Sequence, residues 1–178
     1  TAERIMLEEG YCAVTVRRVA KDAGVSSTLL FYYYPTADDL LVALYRHCAA
    51  RSDEMMQQAL CAADPVSALW AYLTDPARTV LGIEFLALGN HRKAVRSEIA
   101  AEAERIRHAQ TGALRQALGS ELLESCGTTA EGLAMLLTSV SRNMVMEASV
   151  GIASGHQDAR AYVEKALDRL REAKQAEG

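Results

Sequence analysis

Residues 15–40 read TVRRVAKDAGVSSTLLFYYYPTADDL, and the fold turns on how this stretch is read. Thr15 is placed to cap a helix whose apolar positions Val16, Val19, Ala20 and Ala23 recur at helical spacing. Gly24 supplies the backbone freedom needed to leave that helix. Val25 is expected to plug the gap between this helix and the next. Ser26 or Ser27 then caps a second short helix carrying Thr28, Leu29, Leu30, Phe31, Tyr32 and Tyr33. Pro35 has no N–H to donate and disfavours helical backbone in the residue before it, so the second helix must end ahead of it. Thr36, with Asp38 and Asp39 behind it, opens another. Two short helices joined by a tight turn, the second ending in aromatics, make the pattern of a helix-turn-helix reader of duplex DNA.

A helix laid into the major groove needs short polar residues at its N-terminal end to touch base edges, and Ser26, Ser27 and Thr28 meet that need. Leu29 faces either the groove, against a thymine methyl, or the core. Tyr32 and Tyr33 are expected to reach phosphates, whereas Phe31 and Tyr34 are assigned to the core. The helix starts near Thr15 and Thr36 offer backbone and hydroxyl contacts that fix register on the duplex. Arg17, Arg18 or Lys21 adds salt-dependent affinity.

At these residues the chain resembles the TetR family of transcriptional regulators, whose motif runs G-Y-x-x-x-T-V-x-x-[IV]-A-x-x-A-G-V-S-x-x-x-L-[YF]-Y-[YH]-[YF]-x-[ST]-x-[ED]-[ED]-L. Gly10, Tyr11, Thr15, Val16, Val19, Ala20, Ala23, Gly24, Val25, Ser26, Leu30, Phe31, Tyr32, Tyr33, Tyr34, Pro35, Thr36, Asp39 and Leu40 fall on it in register. Two positions depart from it. Ala37 stands where the family commonly has lysine, which removes one phosphate contact, and Thr28 stands where a glycine is frequent. The resemblance implies an all-α fold with an N-terminal three-helix DNA-binding domain over residues 1–35, joined to a helical effector-binding and dimerisation domain over residues 36–178. It begins midway through the family's first helix, so a preceding segment is expected.

The 178 residues, half of them hydrophobic, suffice for one sizeable core or two small joined domains. No alternating strand pattern stands out, and alanine and leucine abound, so the whole chain reads as helical. No apolar run approaches the roughly 20 residues that span a bilayer, and no signal-like segment opens the chain. The expectation is therefore a cytoplasmic protein with no membrane contact. Net charge is −4, yet residues 12–34 carry Arg17, Arg18 and Lys21 against Asp22 alone, so the reading surface is locally basic. Cys12, Cys48, Cys61 and Cys126 lie far apart without a C-x-x-C pair, which fits reduced thiols, with a redox switch as the alternative.

Beyond the reader, the spacing predicts helices over 36–63, with Leu40, Leu41, Leu44, Met55, Ala59 and Leu60 inward, and over 65–73. Others follow from Pro76 to Gly89, where Asn90 interrupts, and over 91–118, 129–153 and 158–173. The stretch TVLGIEFLALG at 79–89 is apolar almost all round apart from Glu84, as expected of a helix lining a cavity. Trp70, Tyr72, Glu84, Phe85, Leu88, Met135 and Asn143 are the candidate ligand-binding residues, for a small and largely apolar effector. In the helix over 129–153, one stripe holds Leu133, Leu137, Val140, Met144 and Ala148. A second holds Leu136, Asn143, Met146 and Val150. One face serves the core and the other a partner, so Met146, Val150, Tyr162, Val163, Leu167 and Leu170 are assigned to a homodimer interface. A twofold dimer matches a palindromic DNA operator.

No cofactor or metal site is expected: His47, His91, His108 and His156 make no metal pattern, and no G-x-S-x-G or phosphate loop occurs. Three readings follow. They are a repressor released by a small molecule, a helix-turn-helix regulator controlled by protein partners, and an all-α enzyme with a fortuitous motif.

Overall fold

In a computed structural model, residues 1–176 are described and form ten α-helices. They are α1 (Ala2–Glu9), α2 (Val16–Ala23), α3 (Ser27–Tyr33), α4 (Ala37–Leu60), α5 (Pro65–Leu73), α6 (Pro76–His91), α7 (Lys93–Leu118), α8 (Ser120–Ser125), α9 (Ala130–Ser149) and α10 (His156–Ala176). A single 3-10 turn, Tyr11–Ala13, joins α1 to α2. No strand occurs among the described residues.

The helix starts are set by side chains that satisfy the free N–H groups of a first turn. Thr15 Oγ1 accepts the Arg18 N–H at 3.2 Å, and Ser26, rather than Ser27, accepts the Leu29 N–H at 3.1 Å. Thr36 and Asp39 cap reciprocally: the Asp39 N–H donates to Thr36 Oγ1 at 3.1 Å, and the Thr36 N–H to Asp39 Oδ2 at 2.9 Å. Asp64 and Asp75, each followed by proline, cap α5 and α6 through the N–H groups of Ser67 and Arg78. Gly24 leaves α2 in the left-handed region at φ 68°, which a β-carbon would strain.

Several boundaries differ from those the sequence predicts. The first long helix ends at Leu60, and Met56, not Met55, turns inward. Asn90 does not interrupt α6, which continues to His91. There Arg96 donates from Nε to the Gly89 carbonyl at 2.9 Å and from Nη2 to the Asn90 carbonyl at 3.1 Å, taking up groups that a helix end leaves free. The short α8 is unanticipated; burial of Leu122 and Leu123 holds it. α9 stops at Ser149, short of 153, and α10 starts earlier than 158, at His156.

Two compact packing units result. One comprises Thr1–Asp53 and Val80–Ala103, the other Glu54–Thr79 and the chain from Glu104 onward. The division expected after residue 35 falls inside the first of these units. The first unit buries Ile5, Met6, Val14, Val16, Val19, Leu40, Leu41, Leu44, Phe85 and Leu88, with Tyr45 edge-on to Phe85 at 4.9 Å between centroids. The second buries Met56, Leu69, Trp70, Tyr72, Leu114, Leu118, Leu133, Leu137, Met144 and Leu167.

Candidate nucleic-acid interface

α3 is fastened to its unit by few residues. Leu30 and Tyr34 pack against the first core, and the rest of the helix faces water. Tyr32 is 78% exposed, Tyr33 65% and Leu29 49%. The two tyrosine rings lie edge-on, 5.2 Å apart, so each braces the other without either being buried. Ser27 and Thr28 are exposed at the N-terminal end of the same helix. Thr28, Leu29 and Tyr32 are spaced three and four residues apart and so share one face. That face offers hydroxyls, a branched apolar tip and a phenol, the group types that read base edges, thymine methyls and phosphates.

Two expectations for α3 and its approach are corrected. Val25 does not fill the gap; it is exposed. Phe31 is not a core residue either, because the short α3 turns only Leu30 and the following Tyr34 toward the core.

The basic residues of α2 divide by what they touch. Arg18 is taken up inside the fold: its guanidinium donates from Nη1 and Nη2 to Glu9 at 3.1 and 2.7 Å, and from Nε to Asp22 at 3.1 Å. Asp22 also accepts from Arg4 at 3.1 Å. The hydrogen bond from Arg18, ahead of the weaker one from Arg4, holds the Asp22 carboxyl below its ordinary range. Arg17 and Lys21 make no ion pair or side-chain hydrogen bond among the described residues, and they lie one turn apart on an exposed face. They remain the exposed, unpaired charges available to phosphate. Thr36 is less available than expected, since its hydroxyl donates to Asp39 Oδ2 at 2.7 Å and accepts from the Asp39 N–H.

The 3-10 turn that leads into α2 is held from α6. Glu84 Oε2 accepts the Tyr11 N–H at 2.9 Å, and the Tyr11 ring stacks on His91 at 6.2 Å. Gly10, at φ 81°, brings the backbone to that carboxylate. Glu84 is therefore a backbone clamp within the unit that carries α3, a partnership 73 residues apart in sequence that no local pattern signals.

The seven candidate ligand residues are divided between the two units. Glu84, Phe85 and Leu88 belong to the first unit, with Phe85 and Leu88 in its core. Trp70 and Tyr72 are buried in the second core, where Trp70 Nε1 donates to Glu164 at 3.4 Å. Met135 is exposed, and Asn143 bonds Glu147 beside His156.

The candidate dimer residues also separate. Met146, Val150 and Tyr162 are exposed, Val150 at 73% and Tyr162 at 74%, and Met135, Leu136 and Ile152 join them. Leu167, only 3% exposed, is core, with Val163 and Leu170 packed against that core, so α10 turns these three inward. Among the described residues no cluster of three His, Cys, Asp or Glu is placed to hold a metal ion, and no helix is long and apolar enough to cross a membrane.

Residues 1–44 match the sequence profile of bacterial regulatory proteins, tetR family. A TetR transcription regulator from Haloarcula marismortui superposes with TM-score 0.71 at 20% identity, over 93% of this chain and 92% of that one. A transcriptional regulator from Rhodococcus sp. Rha1 gives TM-score 0.67 at 19% identity, over 97% and 89%. One from Saccharomonospora viridis, solved in complex with choline, gives TM-score 0.71 at 16% identity, over 99% and 90%. At such identities these structures share the all-helical fold. No curated protein sequence matches the chain.

Proposed function

Because its DNA-binding segment places the chain among TetR-family transcriptional regulators, we propose that it binds a near-palindromic operator as a homodimer and releases it when a small effector binds. The observation that carries this is α3, which leaves Ser27, Thr28, Leu29, Tyr32 and Tyr33 in water. Aromatic and branched side chains left exposed on a seven-residue helix are an unusual use of apolar surface unless a partner covers them. Arg17 and Lys21 supply the positive charge that draws the surface to phosphate. As a regulator of this kind the protein works in the cytoplasm and catalyses no reaction.

Pairing is assigned to the outer face of α9, where Met135, Leu136, Met146 and Val150 are exposed, with Tyr162 of α10. The effector is assigned to the helices beyond residue 53, whose core holds Trp70 and Tyr72; the Saccharomonospora viridis relative also holds a small molecule. Differential affinity is the requirement: the effector must prefer an arrangement in which the two recognition helices no longer match successive major grooves. The close burial of Phe85, Leu88 and Trp70 favours one other reading, control by a protein partner with no small ligand.

Selection of binding sites from a random duplex library tests the proposal. A palindromic consensus bound by the wild type and lost in the folded Ser27→Glu, Tyr32→Ala double variant is the expected result. Unchanged affinity in that variant would remove α3 from the recognition role.

A further inference from the structure

α3 consists of Ser27, Thr28, Leu29, Leu30, Phe31, Tyr32 and Tyr33, and so carries no charged residue, no amide side chain and no histidine. The side chains that read a base through two parallel hydrogen bonds, arginine or lysine on guanine and asparagine or glutamine on adenine, are absent from it. The Ser26 hydroxyl just ahead of it accepts the Leu29 N–H at 3.1 Å. Arg17 and Lys21 stand on α2, not on this helix. Discrimination between bases by α3 therefore falls to short hydroxyls and to apolar groups.

Leu29 is the aliphatic side chain of α3 left in water, because Leu30 and the following Tyr34 take the core side. Tyr32 and Tyr33 lie one turn beyond Leu29 and flank it on the helix surface, their rings edge-on to each other, and Thr28 lies one turn before Tyr32. What an isobutyl group can read is limited by chemistry. In the major groove guanine presents two acceptors, cytosine a donor, and adenine a donor with an acceptor; thymine alone adds a methyl group beside its acceptor. Pressing Leu29 onto any of the first three takes water from a polar group and returns no hydrogen bond, which is unfavourable. Pressing it onto the thymine methyl withdraws two apolar surfaces from water at once. One side chain thus favours one base and disfavours the other three.

We infer that Leu29 is a specificity-determining residue that reads a C5-methyl group, so that each half-site of the operator carries a thymine recognised by its methyl rather than by its hydrogen-bonding edge. The inference rests on the DNA-binding reading and gives the operator a chemical requirement. It also ranks 5-methylcytosine above cytosine at the same position, since the methylated base restores the group that Leu29 touches.

Duplexes selected from a random library by the full chain, then resynthesised with deoxyuridine for one thymidine at a time, test this, because uracil differs from thymine in that methyl alone. One methyl group withdrawn from apolar contact corresponds to about fourfold in affinity, so one thymine per half-site should show that loss, and the two substituted together about fifteenfold. Cytosine at that position should bind more weakly than 5-methylcytosine. Leu29→Ala should weaken binding to the thymine duplex and erase both differences, thymine against uracil and 5-methylcytosine against cytosine. Each difference is a ratio of two affinities of the same protein, so a variant that merely loosens α3 lowers both affinities and leaves the ratio in place. Leu30→Ala, on the core side, supplies that comparison. Duplexes indifferent to uracil at every position overturn the inference, as does a thymine-to-uracil ratio that survives Leu29→Ala. Both of those outcomes leave the DNA-binding reading standing, whereas a wild type that selects no duplex at all overturns that reading and this inference together.

Discussion

Arg17 and Arg18 are neighbours in sequence and opposite in role. Arg18 is held by Glu9 and Asp22, while Arg17 and Lys21 stay in water. Each cation that neutralises a phosphate on binding releases counterions and adds roughly 0.9 to the slope of log affinity against log salt. Arg17→Gln and Lys21→Gln, each present in both protomers of the dimer, should each lower that slope by about two, measured as operator affinity across a salt series. Arg18→Gln should leave the slope unchanged while lowering the melting temperature; a slope loss equal to that of Arg17→Gln would return Arg18 to the phosphate surface. Thiols give a second check at this scale. Burial pushes the Cys48 thiol up to about 11, whereas Cys12, Cys61 and Cys126 are exposed. Titration of the native protein with a thiol reagent should therefore show three fast cysteines and one slow, all four becoming fast in denaturant; four fast thiols at the outset would contradict the burial of Cys48. Arg18 and Arg17 look equivalent in the sequence because their difference is made by Glu9 and Asp22, one of which lies on another helix.

For the helices, legibility follows the range of the forces involved. Thr15, Gly24, Ser26, Pro35 and Thr36 act within a turn of their own positions, so α2, α3 and the start of α4 can be read directly from the sequence. α10 is harder: Tyr162, Val163, Leu167 and Leu170 share apolar character, and only packing against α8 and α9 decides which of them turns inward. Glu84 is harder still, since its apolar setting on α6 hides a bond to a backbone far away in sequence. The division within α9 and α10 has an outcome in solution. Val150→Arg puts a charge on an exposed face and should convert a dimer to a monomer of half the sedimenting mass with its helix content intact. Leu167→Arg buries a charge with no partner among the core residues of the second unit, and should unfold the chain, costing more than about 3 kcal/mol. A folded, monomeric Leu167→Arg protein would return that residue to the interface.

The molecule as a whole is two cores threaded by common helices. α4, α6 and α7 each begin in one packing unit and end in the other, crossing at Asp53, Thr79 and Ala103. A helix is a cooperative object, whose hydrogen bonds are lost in runs rather than singly, so damage to either core is carried along three rods into its neighbour. Independent domains melt separately; these should not. Trp70, the single tryptophan, sits in the second core and reports on that core alone. Leu44→Ala cuts a cavity in the first core, at a cost of about 2 to 5 kcal/mol. In urea, the Trp70 fluorescence midpoint should fall together with the midpoint from far-ultraviolet circular dichroism. A Trp70 transition left where the wild type has it would mean that the cores unfold apart. If the midpoints move together, the shared helices make unfolding a single event, and a lesion in the core beneath α3 is registered by a tryptophan in the other core.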